Sequence, residues 1–205
     1  MRKDIFYSKG DKKYLYVGIY FIILELVFIT SLFWTKDYTG IMWSCNLVPI
    51  IFAFSFLTKN FRLIKGTLNY IFIPHLVFVI VSLIYFSTGL NLINIQLGYT
   101  SFSVGFRAIL FHLFSANVAL FYSYKIKSDK KSIIYSAIIF LIIYILTILL
   151  TPPALNINFL SSSKVIIGVD VPFLKLIWPF FVFTIFVVPT YFFQKYLFKI
   201  STRKY

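Results

Sequence analysis

The residues most able to do chemistry are a polar triplet and a histidine, each set inside an apolar stretch. Ser44, Cys45 and Asn46 interrupt the run from Ile41 to Leu57, and His112 stands in a later run. Polar side chains in such segments are costly unless protein or a cavity satisfies them. A cysteine beside an imidazole can act as a nucleophile that holds an acyl group as a thioester. The alternative is that Cys45 is a small buried side chain and His112 a hydrogen bonder between helices.

The composition is that of an integral membrane protein. Of the 205 residues, 60% are hydrophobic and 13% are charged, against about 25% charged in soluble domains. The net charge of +14 is explained by basic loops held on the cytoplasmic side, so no nucleic-acid partner is expected. With one cysteine, an intrachain disulfide and a CxxC metal site are excluded.

The order of apolar runs predicts an all-α bundle of six transmembrane helices in a single membrane domain spanning 1–205. Short loops carry the basic residues alternately, with five at the N-terminus, three in the second loop, four in the fourth and four in the tail. The first, third and fifth loops carry one, none and one. This asymmetry predicts that both termini are cytoplasmic. The predicted helices cover about 14–34, 40–57, 67–88, 103–122, 132–150 and 173–193.

On this topology several polar residues fall in the outer half of the bilayer and could line one pocket. Glu25, Arg107, Asn46 and Asn117 join Cys45 and His112 in this set, whereas His75 enters from the inner side and is expected at a different depth. Glu25 and Arg107 are either a structural pair or a site for substrate or proton coupling. A metal site is not expected, since two histidines at different depths and one cysteine make no closed ligand set. No cofactor is expected either.

Several short motifs resemble those of the YwaF-like bacterial integral membrane proteins. They are Cys45-Asn46, Leu57-Thr58-Lys59-Asn60, Phe106-Arg107 with His112, and Ile177-Trp178-Pro179. That group is similar to a eukaryotic transmembrane phospholipid acyltransferase family that uses a Cys and a His, and more distantly to the androgen-induced membrane hydrolases. The resemblance implies a Cys45 nucleophile and a His112 general base. One departure is Met42-Trp43-Ser44, where the group has a Leu-Pro-Leu approach.

Three functions therefore stand as hypotheses. The first is a lipid acyl hydrolase or acyltransferase, in which Asn46 stabilises an oxyanion and Arg107 contacts a lipid phosphate. The second is a small-molecule transporter or substrate-binding membrane subunit that uses Glu25 and Arg107. The third is a non-enzymatic partner, such as an immunity or assembly subunit. Membrane lipids are expected around the protein, and a membrane protein partner or a second copy of the chain is left open, as is enzymatic activity itself.

Overall fold

The computed structural model describes residues 12–35, 44–90, 102–151 and 174–203, with side chains in the fourth helix from Ala108 and in the last from Ile177. The described residues are helical apart from short links, and no strand occurs among them, which confirms the all-helical prediction for this part of the chain. The elements are α1 (Lys12–Thr35), α2 (Ser44–Leu57), α3 (Phe61–Thr88), α4 (Phe102–Ser123), α5 (Lys131–Leu150), α6 (Leu174–Phe181), a π-helical segment (Val182–Val187) and α7 (Val188–Thr202). The predicted long loop from Thr151 to Pro172 lies, after its first residue, outside the described residues.

Two helices differ in length from the sequence prediction. α3 begins at Phe61 rather than at Thr67, because the Asn60 side chain accepts a hydrogen bond from the Leu63 amide (3.1 Å) and caps a helix start. The last helix continues to Thr202, past the predicted end at 193. Its lysines remain compatible with a helix because long basic side chains extend from the apolar body toward water.

Four described helices are long and apolar enough to cross a membrane. They cover Lys12–Trp34, Phe61–Thr88, Lys131–Leu150 and Ile177–Thr202. The apolar segments Ser44–Leu57 and Ala108–Ser123 are shorter. Large apolar side chains point outward on the long helices, with Trp34 88% exposed and Leu149 72% exposed, as expected where lipid is the solvent. A membrane protein is therefore indicated.

Helix α3 is the centre of the bundle, since α2, α4, α5, the π-helical segment and α7 all pack on it. Aromatic side chains join α1 to α2, where the Phe21 and Phe52 rings lie 5.0 Å apart and the Phe21 and Phe56 rings 5.8 Å apart. On the other side, Phe72 of α3 stacks on Phe193 of α7 at 5.5 Å. The central helix therefore contacts both halves of the bundle and can bring polar residues of several helices together.

The bundle has one strongly basic end. α3 runs antiparallel to α4 and α7 and in the same direction as α5, as successive contacts along it show. His75 and Phe78 of α3 meet Ser115 and His112 of α4 in that order. The contacts of α3 with α7 and α5 are Asn69–Gln194 and Phe72–Phe193, and Gly66–Ser136 and Tyr70–Phe140. The start of α1, the α2–α3 link, the α4–α5 link and the end of α7 consequently meet at one end. Every Lys and Arg whose side chain the structure describes lies at this end or within about two turns of it.

Candidate functional site: a buried histidine pair

The two histidines of the chain meet in the middle of the bundle. The rings of His75 on α3 and His112 on α4 lie 4.7 Å apart, centre to centre, at 66° to each other. Both side chains are buried, with 1% and 5% exposed. The prediction that they occupy different depths is therefore wrong. It counted depth from Thr67, whereas the helix begins at Phe61 and places His75 about 21 Å along a helix of about 42 Å.

Both rings make their hydrogen bonds through Nδ1. His112 Nδ1 lies 2.7 Å from the Ala108 carbonyl oxygen, and His75 Nδ1 lies 3.2 Å from the His112 carbonyl oxygen. A carbonyl oxygen can only accept, so Nδ1 is the donor in the His112 contact. For His75 the tautomer sets the direction, because Nδ1 donates to the His112 carbonyl in one tautomer and accepts from the Ser115 hydroxyl in the other. Both Nε2 atoms are buried and without a hydrogen-bond partner in the part of the chain that the structure describes.

Ser115 lies beside the pair. Its Oγ lies 3.0 Å from His75 Nδ1 and 3.4 Å from the His112 carbonyl oxygen. The serine hydroxyl can therefore donate to either atom, according to the tautomer of His75. Phe78 stacks on the His112 ring at 3.9 Å. The serine and the phenylalanine hold the rings in place, and the two Nε2 atoms are left without a partner in the described part of the chain.

Cys45 lies in different surroundings from His112. Its thiol donates to the Asn46 side-chain oxygen at 3.5 Å, and the ionisable side chains close to it are Glu25 of α1 and Tyr70 of α3. Within the described residues no hydrogen bond or ring contact joins Cys45 to His112. The structure thus brings together Cys45, Asn46 and Glu25 from the predicted pocket and places His112 with His75.

The remaining predicted site residues contribute less to a shared pocket. Asn117 donates its amide to the Leu113 carbonyl of its own helix at 2.6 Å. Arg107 lies in α4, and its side chain is outside the described residues. Glu25 is 6% exposed, and its Oε2 has no hydrogen-bond partner among the described residues. Like the two histidines, Glu25 is therefore a buried ionisable side chain with an atom that has no hydrogen-bond partner among the described residues.

A polar network that the sequence analysis did not identify lies between the histidines and the basic end. Gln194 donates to the Asn69 side-chain oxygen (2.6 Å) and to the Lys65 carbonyl (3.2 Å), and Asn69 donates to Ser132 Oγ (3.3 Å). Lys65 is 1% exposed, and its ammonium nitrogen has no partner within the described ranges. The sequence signal was the four-residue spacing of Ser132 and Ser136, which puts two hydroxyls on one face of α5.

The described residues contain no group of three or more His, Cys, Asp and Glu side chains that could hold a metal ion. No protein-family model, curated protein or solved structure matches the chain significantly.

Proposed function

We propose that this chain is a multi-pass protein of the bacterial plasma membrane that transports or captures a small solute and uses the histidine pair as its proton-binding group. In this proposal six segments span the bilayer, and both ends of the chain lie in the cytoplasm. The six are α1 to α5 and the last helix, which consists of α6, the π-helical segment and α7. The accumulation of described Lys and Arg side chains at one end of the bundle supports that orientation, since such residues are retained on the cytoplasmic side.

The proposal rests on the Nε2 atoms of His75 and His112, which lie on adjacent rings and have no hydrogen-bond partner among the described residues. A buried polar atom without a partner costs about 1–3 kcal/mol, so two of them destabilise the bundle by about 2–6 kcal/mol by the same measure. A proton, or an N–H or O–H group of a solute, satisfies these atoms. Ionisable residues inside membrane-spanning segments commonly mark such proton or substrate paths.

Other buried ionisable groups stand at separate places in the bundle. Glu25 faces the α1–α2 side with an open Oε2, and Lys65 lies about 15 Å from His75 along α3 with an open ammonium. Neither of them makes an ion pair with an opposite charge in the described part of the chain. Groups at several depths, each with an open atom, are the arrangement that stepwise proton movement requires.

Acyl transfer by Cys45 and His112 remains the weaker proposal. A general base must come within hydrogen-bond reach of the proton that it removes, directly or through one water. The described contacts pair the thiol with Asn46 and the imidazole with His75. For acyl transfer, Cys45 and His112 would have to approach each other in another conformation.

The test is proton movement across liposomes that contain the purified protein and an internal pH-sensitive dye. A potassium gradient with valinomycin drives protons inward, and the wild-type protein is expected to acidify the lumen faster than empty liposomes do. The double variant His75→Gln/His112→Gln keeps polar side chains at both positions but cannot take up a proton there. We expect it to fall to the rate of empty liposomes.

The matched control is Ser87→Ala, an exposed position on α3 whose hydroxyl bonds only to the Ile84 carbonyl of its own helix. It should move protons at the wild-type rate. Equal rates for the wild type and the double histidine variant, both monodisperse before reconstitution, would refute transport. Titration of the purified protein tests capture without transport, in which the double variant should bind fewer protons than the wild type. Equal rates together with equal proton binding would refute the proposal.

A further inference from the structure

The basic end of the bundle contains a pocket that takes no part in the proposed proton chemistry. It has a volume of about 340 Å³ and lies between the α4–α5 link and the last turns of α7. Its wall includes Lys127 and Ser128 from the link and Lys195, Tyr196 and Lys199 from the helix. We call this feature the basic pocket. Its volume is within the range of about 300–1,000 Å³ that holds small ligands.

The charges of the basic pocket are of one sign. Its three basic wall residues are lysines, and no carboxylate lines it among the residues that the structure describes. Asp129, which follows Ser128 in the link, is already bound by Arg62 at 2.9 Å. Lys195 lies over the Tyr191 ring at 5.5 Å, and none of the three lysines makes an ion pair within the described residues. The surface of the pocket is mostly apolar, so the lysines line it with their alkyl chains, and an anion would bind at its rim, where their ammonium groups can reach it.

The inner wall of the pocket is fixed by buried hydrogen bonds. Ser128 is 3% exposed, and its hydroxyl lies 3.3 Å from Ser132 Oγ. Ser132 in turn accepts from Asn69, which is bonded to Gln194 one residue before Lys195. The link and α7 are therefore connected through one network, and the lysines are presented from a fixed frame. A site whose groups are already in place loses less entropy when it binds.

We propose that the basic pocket binds a phosphate group, carried either by the headgroup of an anionic phospholipid or by a soluble phosphate. Lysine ammonium groups bind phosphate as point charges. The position favours the lipid, because Tyr196 at the pocket is 61% exposed beside Phe192, which is 59% exposed. Exposed aromatic side chains next to lysines are typical of the membrane interface, and basic pockets between helices there bind anionic headgroups.

The experiment is a titration of the detergent-purified protein with phosphatidylglycerol, read by native mass spectrometry as the fraction of protein that retains lipid. The test variant is Lys127→Gln/Lys195→Gln/Lys199→Gln. The matched control is Lys12→Gln/Lys59→Gln/Lys131→Gln, which removes three exposed lysines outside the pocket. Each lysine near an anionic lipid surface contributes about fivefold in affinity (about 1 kcal/mol), so the test variant should bind about a hundredfold more weakly. The control should bind as the wild type does.

Two further arms separate the sources of phosphate. Phosphatidylcholine should be retained less than phosphatidylglycerol. If the ligand is a lipid headgroup, inorganic phosphate should fail to displace phosphatidylglycerol. Displacement by inorganic phosphate that depends on the same lysines would assign the site to a soluble phosphate. The proposal is overturned if the test variant retains phosphatidylglycerol like the wild type, or if the control loses as much. Should the triple variant not fold, Lys199→Gln alone is expected to weaken retention about fivefold, and no change would overturn the proposal.

Discussion

The closest approach of α3 and α5 depends on a glycine, and it yields the sharpest stability prediction. A Cβ atom at Gly66 would lie 2.6 Å from Tyr135 Cβ and 2.8 Å from the Ser132 carbonyl oxygen. The Gly66 carbonyl also accepts a hydrogen bond from Ser136 Oγ at 2.9 Å. Because one of the two clashing atoms is backbone, α5 as a whole would have to move in Gly66→Ala. Small residues allow such close helix packing in membrane proteins.

The expected loss of stability follows from three contributions. Overpacking at a contact that cannot yield costs about 1–3 kcal/mol. Weakening the Ser136 hydrogen bond costs about 0.5–1.5 kcal/mol. Replacing glycine by alanine inside a helix recovers about 1 kcal/mol. The net destabilisation of Gly66→Ala is therefore about 2 kcal/mol, which lowers the folded-to-unfolded ratio by a factor of about 30.

Gly18→Ala is the matched control. A Cβ there meets Leu57 Cγ at 2.6 Å and the Ala53 carbonyl oxygen at 3.3 Å. Leu57 is 41% exposed, so its side chain can rotate into lipid, and the backbone contact is much longer than the 2.8 Å at Gly66. The helix-propensity gain of about 1 kcal/mol should then leave this variant as stable as the wild type or slightly more so. The assay is reversible unfolding in mixed micelles of increasing SDS fraction, followed by tryptophan fluorescence. Equal unfolding midpoints for Gly66→Ala and Gly18→Ala would refute the packing argument.

Two smaller predictions concern single contacts. Arg62→Ala removes the ion pair with Asp129, and the two side chains are 50% and 38% exposed. The free energy of unfolding should therefore fall by no more than about 1 kcal/mol, and by less in high salt. A loss of several kcal/mol at high salt would contradict this. Labelling of Cys45 by a thiol-directed probe should proceed at the same rate in wild type and in His112→Ala, because no described contact joins the two side chains. A strong decrease in the variant would instead favour the acyl-transfer hypothesis.

The helices were largely readable from the sequence because apolar run length and helix-ending residues are local properties. The exception at the start of α3 is instructive. The prediction counted the basic residues around Arg62 as loop, although Asn60 is a good N-cap residue three positions before Leu63. That difference in helix start was enough to misplace His75 relative to His112, and with it the chemistry of the candidate site.

Contacts between helices were not readable in the same way. Each residue turns a helix face by about 100°, so small changes in rotation decide whether Cys45 or His75 meets His112. The sequence also held Lys65, Asn69 and Gln194 as isolated polar residues, and only packing around α3 joined the last two to Ser132.

The sequence by itself determined that the protein is helical, apolar enough for a membrane and basic in alternate loops, because these properties depend on composition and on order along the chain. Tertiary structure decided that the two histidines form a pair with open Nε2 atoms, that Cys45 lies with Asn46 and Glu25, and that three lysines line one pocket. These facts depend on distances between residues far apart in sequence, which are set by helix packing around α3.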